Sequence, residues 1–226
     1  MIRDSIVRAG VVAIAAALVT GCSGGLHSDV PATQVYVLRA AVHPQAEMTH
    51  SNLSIHVNRP MAAPGLDSDH IVIVQTDHRM SYYVASRWPS NLPGVVEALA
   101  VDSLRSTGAW SAVQDSGSSF SSEYLLQIVI RRFEADYSAN PSAPEVHVVL
   151  DCTVGKRVGR EMLASFIAEG SSTASANRLG DVVSAFEDAA NTALAQLAVR
   201  ASQAAQTSRA AESSQKVEAP VPSITR

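Results

Sequence analysis

Seven histidines are the first residues of this 226-residue chain that could do chemistry, as metal ligands or as proton carriers. No two of them form an H-E-x-x-H or similar i, i+4 pair, the spacing that brings two imidazoles to one helix face. We therefore predict solvated histidines in loops and at strand ends, and no metal site. The seven are His27, His43, His50, His56, His70, His78 and His147.

Carboxylates are the second group, and two of them could act together. Glu134 and Asp136 lie at i, i+2, so they share one face of a strand, and a buried member could serve as a general acid or base. We expect instead the solvated face of an edge strand, with Arg131 and Arg132 pairing nearby. Three other aspartates flank one strand without the glycine-containing spacing of a calcium loop. They are Asp67, Asp69 and Asp77.

Neither cysteine predicts a catalytic nucleophile. The segment 21–25 fits the pattern G-x-S-x-G, but that motif needs a strand before it and a helix after it, and this segment lies in a leader. Cys152 lies in an apolar, strand-like run, where a thiol behaves as a small hydrophobic group. With no nucleophile–base pair and no P-loop, we predict no catalytic residue, no cofactor and no enzyme activity. A periplasmic hydrolase is the weakest hypothesis.

The amino terminus has the pattern of a lipoprotein leader. Arg3 and Arg8 precede nine apolar residues, 11–19. That run is too short for a membrane-spanning helix, which needs about 20 residues, and is typical of a signal peptide. It ends in Val19-Thr20-Gly21-Cys22, which resembles a bacterial lipobox. We predict a signal peptide over 1–21, lipidation of Cys22 and a tether over 22–33. The alternative is an ordinary signal peptide with a chance cysteine.

The composition of the chain is that of a folded, slightly acidic protein. Hydrophobic residues make up 46% of the chain and charged residues 17%, with a net charge of -4. The pI of about 5.9 argues against a nucleic-acid partner. We place one folded domain at 34–202.

Apolar periodicity in this domain predicts an α+β fold, a mostly antiparallel sheet with two main helices packed on one face. One helix opens at Pro93 and stops at Gly108, and the second covers about 182–201. Beyond Gln203 we predict a disordered tail, 203–226, with an extension of the last helix as the alternative. Strands are predicted at 34–38, 53–57, 70–74, 81–84, 110–113, 124–137, 146–154 and 162–168.

Several features recur in a fixed order along the chain. They are the lipobox at Cys22, Leu66-Asp67 before Ile71-Val72, Tyr82-Tyr83 before Trp88, Leu92-Pro93 with Leu99 and Leu104, Tyr124-Leu125 leading to Phe133-Glu134, Phe166, and a closing Ala-rich helix. Over residues 34–200 this order resembles the ABC-type transport auxiliary lipoproteins of the paraquat-inducible protein C type. Pro89-Ser90 departs from the small or acidic pair usual there, and the tail after Gln203 is longer than the family's ending.

The resemblance implies a function in the cell envelope. Such lipoproteins occur beside genes for an ABC transporter permease, its ATPase and an MCE-type protein, and serve lipid transport between the two membranes of Gram-negative bacteria. It implies a thioether lipid on Cys22, an acyl group such as palmitate on the new amino terminus, and membrane attachment there. Ser23 implies the outer membrane, on its periplasmic face. Whether the protein forms a homo-oligomer stays open.

Three aromatic residues could contact a partner. Tyr82, Tyr83 and Trp88 either pack the junction between sheet and helix or contact a protein or lipid, since aromatic side chains are favoured at interfaces. The main alternative function is an outer-membrane lipoprotein that scaffolds or activates cell-wall enzymes.

Overall fold

The computed structural model describes residues 32–41 and 52–218. The predicted signal peptide, the lipidation site Cys22 and almost all of the tether lie outside the described residues. So do His27, His43 and His50. Among the described residues, no helix is long and apolar enough to cross a membrane.

Nine strands and two helices make up the described part of the chain, in an α+β arrangement that confirms the predicted fold class. The strands are β1 Gln34–Val35, β2 Ser54–Val57, β3 Met61–Ala62, β4 His70–Val74, β5 Met80–Arg87, β6 Ala112–Gln114, β7 Tyr124–Asp136, β8 Glu145–Lys156 and β9 Met162–Thr173. The helices are α1 Leu92–Ser106 and α2 Leu179–Glu218.

All strands join one mixed sheet around β7. One edge of β7 pairs with β8 in antiparallel register along its whole length, and β9 continues the sheet beyond β8. The other edge of β7 pairs in parallel with β2, β3 and β4 in succession. Outside these, β6 pairs with β2, β5 with β4, and β1 with β5. The longest pairings are antiparallel.

Alternation along the long strands gives the sheet one buried face and one open face. In β8 every second side chain from Val146 to Val154 is buried, and the residues between them are half-exposed. A bulge in β7 falls at Arg131, since Ile130 pairs with Leu150 and Arg132 with Val149. The extra residue shifts the alternation by one position and returns Phe133 to the buried face.

The helices cover the buried face, as predicted. Pro93 lies in the first turn of α1, where its missing N–H leaves no hydrogen bond unmade, and Gly108 follows the helix end with a φ of +65°. The long helix α2 packs on β8 and β9 through a stripe of buried alanines that allows a close approach. The stripe comprises Ala185, Ala189, Ala190, Ala193, Ala198, Ala201 and Ala205.

Three aromatic rings form the centre of the core. Trp88 meets Phe186 edge-on at 5.4 Å and Phe133 edge-on at 6.1 Å, and the two phenylalanine rings stack at 5.3 Å. Among the described residues, the buried apolar side chains of the core all fall between Leu38 and Ala205.

The carboxyl-terminal segment differs from the prediction. Residues 203–218 continue α2 rather than forming a disordered tail, so the helix extension considered as the alternative describes this part. Ala205 is fully buried, Lys156 Nζ lies 2.5 Å from Glu212 Oε1, and Arg209 bonds Glu123 at 3.3 Å. These contacts with residues distant in sequence stabilise the helical end of α2, although residues 203–218 include few large apolar side chains. Residues 219–226 lie outside the described part.

Candidate interaction surface

Tyr82 stands on the surface of β5, the strand between β4 and β1. Its side chain is 41% exposed, and its ring lies 4.7 Å from the ring of His70 on β4. Val84, two residues along the same strand, is 89% exposed. The carboxylate of Asp69 lies 3.8 Å from His70 Nδ1 and 3.5 Å from Arg87 Nη1. The result is an aromatic and apolar patch bordered by charge, which we call the β5 patch: His70, Met80, Tyr82, Val84 and Arg87.

The β5 patch borders a shallow concavity of about 600 Å³. It is lined mainly by β5, with His70 at the start of β4 and Thr33, just before β1, at its sides. Ala85, at the centre of β5, has a φ of +50°, a left-handed conformation that is unfavourable for a residue with a Cβ. The kink coincides with a register shift between β4 and β5. The strand is therefore bent where the apolar side chains point outward.

Tyr83 points away from this surface. Its hydroxyl forms a 2.5 Å hydrogen bond with the Tyr137 hydroxyl, which donates to Asn177 Oδ1 at 2.8 Å. Burial, the hydrogen bond and the neighbouring phenol raise the pKa of Tyr83 well above the ordinary value. This chain of hydrogen bonds connects β5, the end of β7 and the segment before α2. Tyr83 therefore has a structural role.

Trp88 is only 1% exposed and lies in the aromatic core. Its side chain packs the junction of sheet and helix, the first of the two roles considered for it. Of the three aromatic residues, Tyr82 alone presents a largely accessible ring.

The carboxylates Glu134 and Asp136 do share a strand face, but their surroundings differ from the prediction. The strand β7 is central in the sheet rather than an edge, and Glu134 is 6% exposed rather than solvated. Arg132 Nε lies 2.5 Å from Glu134 Oε1, and the Phe133 N–H donates to Glu134 Oε2 at 2.8 Å. The expected pairing with Arg132 is present. The carboxylate therefore accepts hydrogen bonds both from the Arg132 guanidinium and from the Phe133 N–H, two residues beyond the bulge.

The surroundings of Asp136 favour the ionised form of its carboxylate. Burial raises its pKa, but hydrogen bonds from Ser138 and the charges of His147 and Arg132 outweigh that effect, so the pKa lies below its ordinary value. Arg132 Nη2 lies 3.5 Å from Asp136 Oδ2, so the guanidinium bridges the carboxylates of Glu134 and Asp136. An acid–base pair needs environments that push two pKa values apart, with one raised toward neutrality. This arrangement favours a structural ion cluster.

Other predicted candidates lie apart from one another. Within the described ranges, no three His, Cys, Asp or Glu side chains come together as metal ligands. Asp67 accepts a hydrogen bond from Asn91, and Asp77 pairs with Arg79. Cys152 is fully buried beneath α2, and burial raises the pKa of its thiol to about 12. A thiol in that state is a weak nucleophile.

One exposed feature was not anticipated from the sequence. The turn between β8 and β9 carries Arg157, Val158 and Arg160, and Val158 is 87% exposed. The sequence signal was present: three basic residues occur within the five positions 156–160 of an acidic chain.

The chain belongs to the family of ABC-type transport auxiliary lipoprotein components, because the family model matches residues 36–202. That match covers the sheet from β2 to β9, the helix α1, the first part of α2 up to residue 202, and the aromatic core. It confirms the resemblance drawn from the order of motifs. The family is one of auxiliary lipoproteins of the bacterial envelope, associated with ABC-type transport.

Solved structures agree with the fold. A protein of Xanthomonas campestris from the DUF330 family shares 23% identity, with a TM-score of 0.71, and the alignment covers 78% of this chain and 99% of that one. A second structure, of an uncharacterized protein, shares 15% identity with a TM-score of 0.54 over 79% and 97% of the two chains. No curated protein sequence matches this chain.

Proposed function

We propose that this protein is a lipid-anchored, non-catalytic auxiliary subunit of an ABC/MCE-type system that moves lipids between the two envelope membranes. The observation that carries the proposal is the family match over residues 36–202. The ATPase and permease activities belong to other subunits, and this chain supplies attachment and protein contacts. Its partners in this account are the MCE-type protein and the transporter permease with its ATPase.

The anchor is assigned to Cys22. The lipobox places this cysteine twelve residues before Gln34, where β1 begins. Twelve extended residues reach at most about 40 Å, so the domain would stay close to the membrane surface. A thioether diacylglycerol and an amide-linked acyl chain anchor stably, since two chains already suffice. Ser23 favours sorting to the periplasmic face of the outer membrane.

The anchor is tested by membrane fractionation. Cys22→Ala should abolish incorporation of labelled fatty acid and block processing at the lipobox. Ser23→Asp keeps the cysteine and serves as the matched control, with labelling intact and the protein shifted toward inner-membrane fractions. Undiminished labelling of the Cys22→Ala variant would contradict the assignment.

The partner contact is assigned to the β5 patch. Tyr82 and Val84 expose apolar surface on a bent strand, with Asp69 and Arg87 at its border. Interfaces favour aromatic residues of this kind at their centre and charges at their rim. A homo-oligomer could use the same surface, and the experiment that closes the Discussion separates the two.

The non-catalytic role is tested by complementation of an envelope-sensitivity phenotype in a deletion strain. Asp136→Asn and His147→Gln remove titratable groups without changing side-chain size, and both variants should complement fully at normal protein level. Glu134→Gln should complement as long as the blot shows normal abundance. Loss of complementation by a folded, abundant variant would indicate chemistry at this cluster and contradict the proposal.

A further inference from the structure

The turn between β8 and β9 concentrates unpaired positive charge on an acidic chain. Lys156 at its start is neutralised by Glu161 at 3.2 Å and Glu212 at 2.5 Å. By contrast, Arg157 and Arg160 form no ion pair with any residue in the described ranges. The chain as a whole has 17 basic and 21 acidic residues, so this end of the sheet differs in sign from the average surface.

The two arginines border a concavity of about 720 Å³. By the strand register it lies on the open face of the sheet, where Leu125 pairs with His56 on one side and with Gly155 on the other. The Nδ1 atom of His56 is buried there and has no hydrogen-bond partner within the described part of the chain. Glu161 is the one carboxylate in the lining. Guanidinium and imidazole groups around an open concavity are suited to phosphate oxygens.

Large apolar side chains project beside these arginines. Val158 is 87% exposed at the tip of the turn, Met162 is 67% exposed at the start of β9, and Phe120 is 76% exposed in the loop before β7. The Arg157 N–H donates to the carbonyl of Glu123 at 2.9 Å, which places the turn beside that loop. Val158 and Phe120 thus lie in two neighbouring loops, and Met162 lies at the start of the strand that follows the turn.

This combination fits a membrane surface better than a protein. A stable protein interface buries about 800 Å² on each partner, over a continuous and closely packed patch. Apolar side chains at loop tips, backed by arginines, instead match the depth profile of a bilayer, where apolar groups enter the acyl boundary and cations meet the phosphates.

The backbone of the turn is left-handed at two successive residues. Gly159 has a φ of +80° and Arg160 a φ of +52°, as a tight β-hairpin turn requires. Glycine and asparagine adopt this conformation most readily, so an asparagine would suit position 160 better than the arginine does.

We propose that the β8–β9 turn, with Val158 at its tip and Arg157 and Arg160 beside it, together with Phe120 of the neighbouring loop, binds a membrane surface that contains anionic phospholipid. This contact is separate from the lipid anchor. A functional role for this second membrane contact rests on the proposed function in lipid transport. The binding of the turn to a membrane does not depend on that proposal.

The test is flotation of the mature chain from residue 23, produced without acyl chains, which retains the whole core. The vesicles are phosphatidylcholine alone, or phosphatidylcholine with about a third phosphatidylglycerol. We expect binding to the anionic vesicles only. Each basic residue near such a surface contributes about fivefold to the partition coefficient, so Arg157→Gln with Arg160→Gln should lose about 25-fold. Val158→Asp should weaken binding as well.

Matched variants separate binding from folding. Arg79→Gln with Arg178→Gln makes the same change in net charge at the opposite end of the sheet, and should keep vesicle binding. Arg160→Asn should lose about fivefold in binding while its thermal midpoint stays equal or rises, because asparagine suits the left-handed position.

Several results would overturn the inference. They are equal binding to both vesicle types, unchanged binding in the double arginine variant, or displacement by inorganic phosphate at matched ionic strength, which would indicate a site for a free anion. Cross-linking of Val158 to an acidic protein in a preparation that binds no vesicles would assign the turn to a protein partner. Vesicle binding without recovery of any transporter subunit from cells would uphold this inference and count against the proposed function alone.

Discussion

Gly170 of β9 lies directly against the backbone of α2 at Ala189. A Cβ atom at position 170 would come within 2.1 Å of the Ala189 carbonyl oxygen and 2.9 Å of Thr192 Cβ. Helix and strand can approach this closely because position 170 has no side chain and the buried stripe of α2 consists mostly of alanines. The absence of a side chain at one position of β9 therefore sets the distance between the helix and the sheet.

Replacing this glycine should destabilise the domain. Gly170→Ala forces helix and strand apart, and overpacking of this kind lowers the free energy of unfolding by about 1–3 kcal/mol. Gly180→Ala is the matched control, because position 180 lies at the start of α2 with nothing within 4 Å of its Cβ. Urea unfolding should show the control unchanged or slightly stabilised. Equal stability of the two variants would contradict the close packing.

Substitutions of Trp88 and Tyr82 should have different effects, because Trp88 lies in the core and Tyr82 lies on the surface. Trp88→Ala leaves a cavity between Phe133 and Phe186 and should cost about 3–5 kcal/mol of unfolding free energy. Tyr82→Ala removes an exposed ring and should change stability by no more than about 0.5 kcal/mol. Thermal unfolding with near-ultraviolet circular dichroism measures both. A large loss of stability in Tyr82→Ala would show that the ring is needed for the fold.

The end of α2 should contribute little to stability beyond Ala205. Deleting residues 207–226 removes the Lys156–Glu212 and Arg209–Glu123 pairs, and exposed ion pairs contribute little to stability because water and salt screen them. We expect a small loss of stability that becomes smaller at high salt. Ala205→Asp places a charge at a fully buried position and should cost about 3 kcal/mol or more. If the truncation lowered the free energy of unfolding more than Ala205→Asp does, the end of α2 would contribute more to stability than this prediction states.

Asp136 should make part of the stability dependent on pH. Its pKa in the folded state lies below the ordinary 3.8, so its contribution is present above that value and is lost as the pH falls through the folded-state pKa. Asp136→Asn should be less stable than the parent at pH 7, and the difference should shrink as the pH falls below the ordinary pKa of an aspartate. Unfolding in urea across this range measures it. A constant difference at every pH would rule out the ionised carboxylate as its source.

Local patterns predicted the long elements well. Alternation over 124–137 and 146–154 fixed β7 and β8, and the proline and glycine around α1 placed its ends. Elements defined by distant partners were missed. The two-residue strand β3 lies in a segment predicted as a loop, and it exists because Met61 and Ala62 pair with Val129 and Ile130.

The same reason explains the errors at the candidate site. Glu134 was expected on an edge strand because nothing in residues 131–137 indicates that β2, β3 and β4, far earlier in the chain, line up along β7. The burial of Trp88 was one of the two roles predicted for it, but its partner Phe186, almost a hundred residues later, could not be identified from the local pattern. The helical end of α2 depends on Lys156 of β8. Composition alone could not supply these long-range contacts.

The most direct test of the central claim is photo-crosslinking in living cells from position 82, followed by mass spectrometry of the captured proteins. Val199, exposed on α2, serves as the control position, since the account places no partner there. We predict that a cross-linker at Tyr82 captures an MCE-type protein or the transporter permease, and that one at Val199 does not. Capture of penicillin-binding proteins would contradict the account and favour a scaffold for cell-wall enzymes. Capture of only further copies of this chain would assign the β5 patch to self-association and remove it as the contact with the transporter.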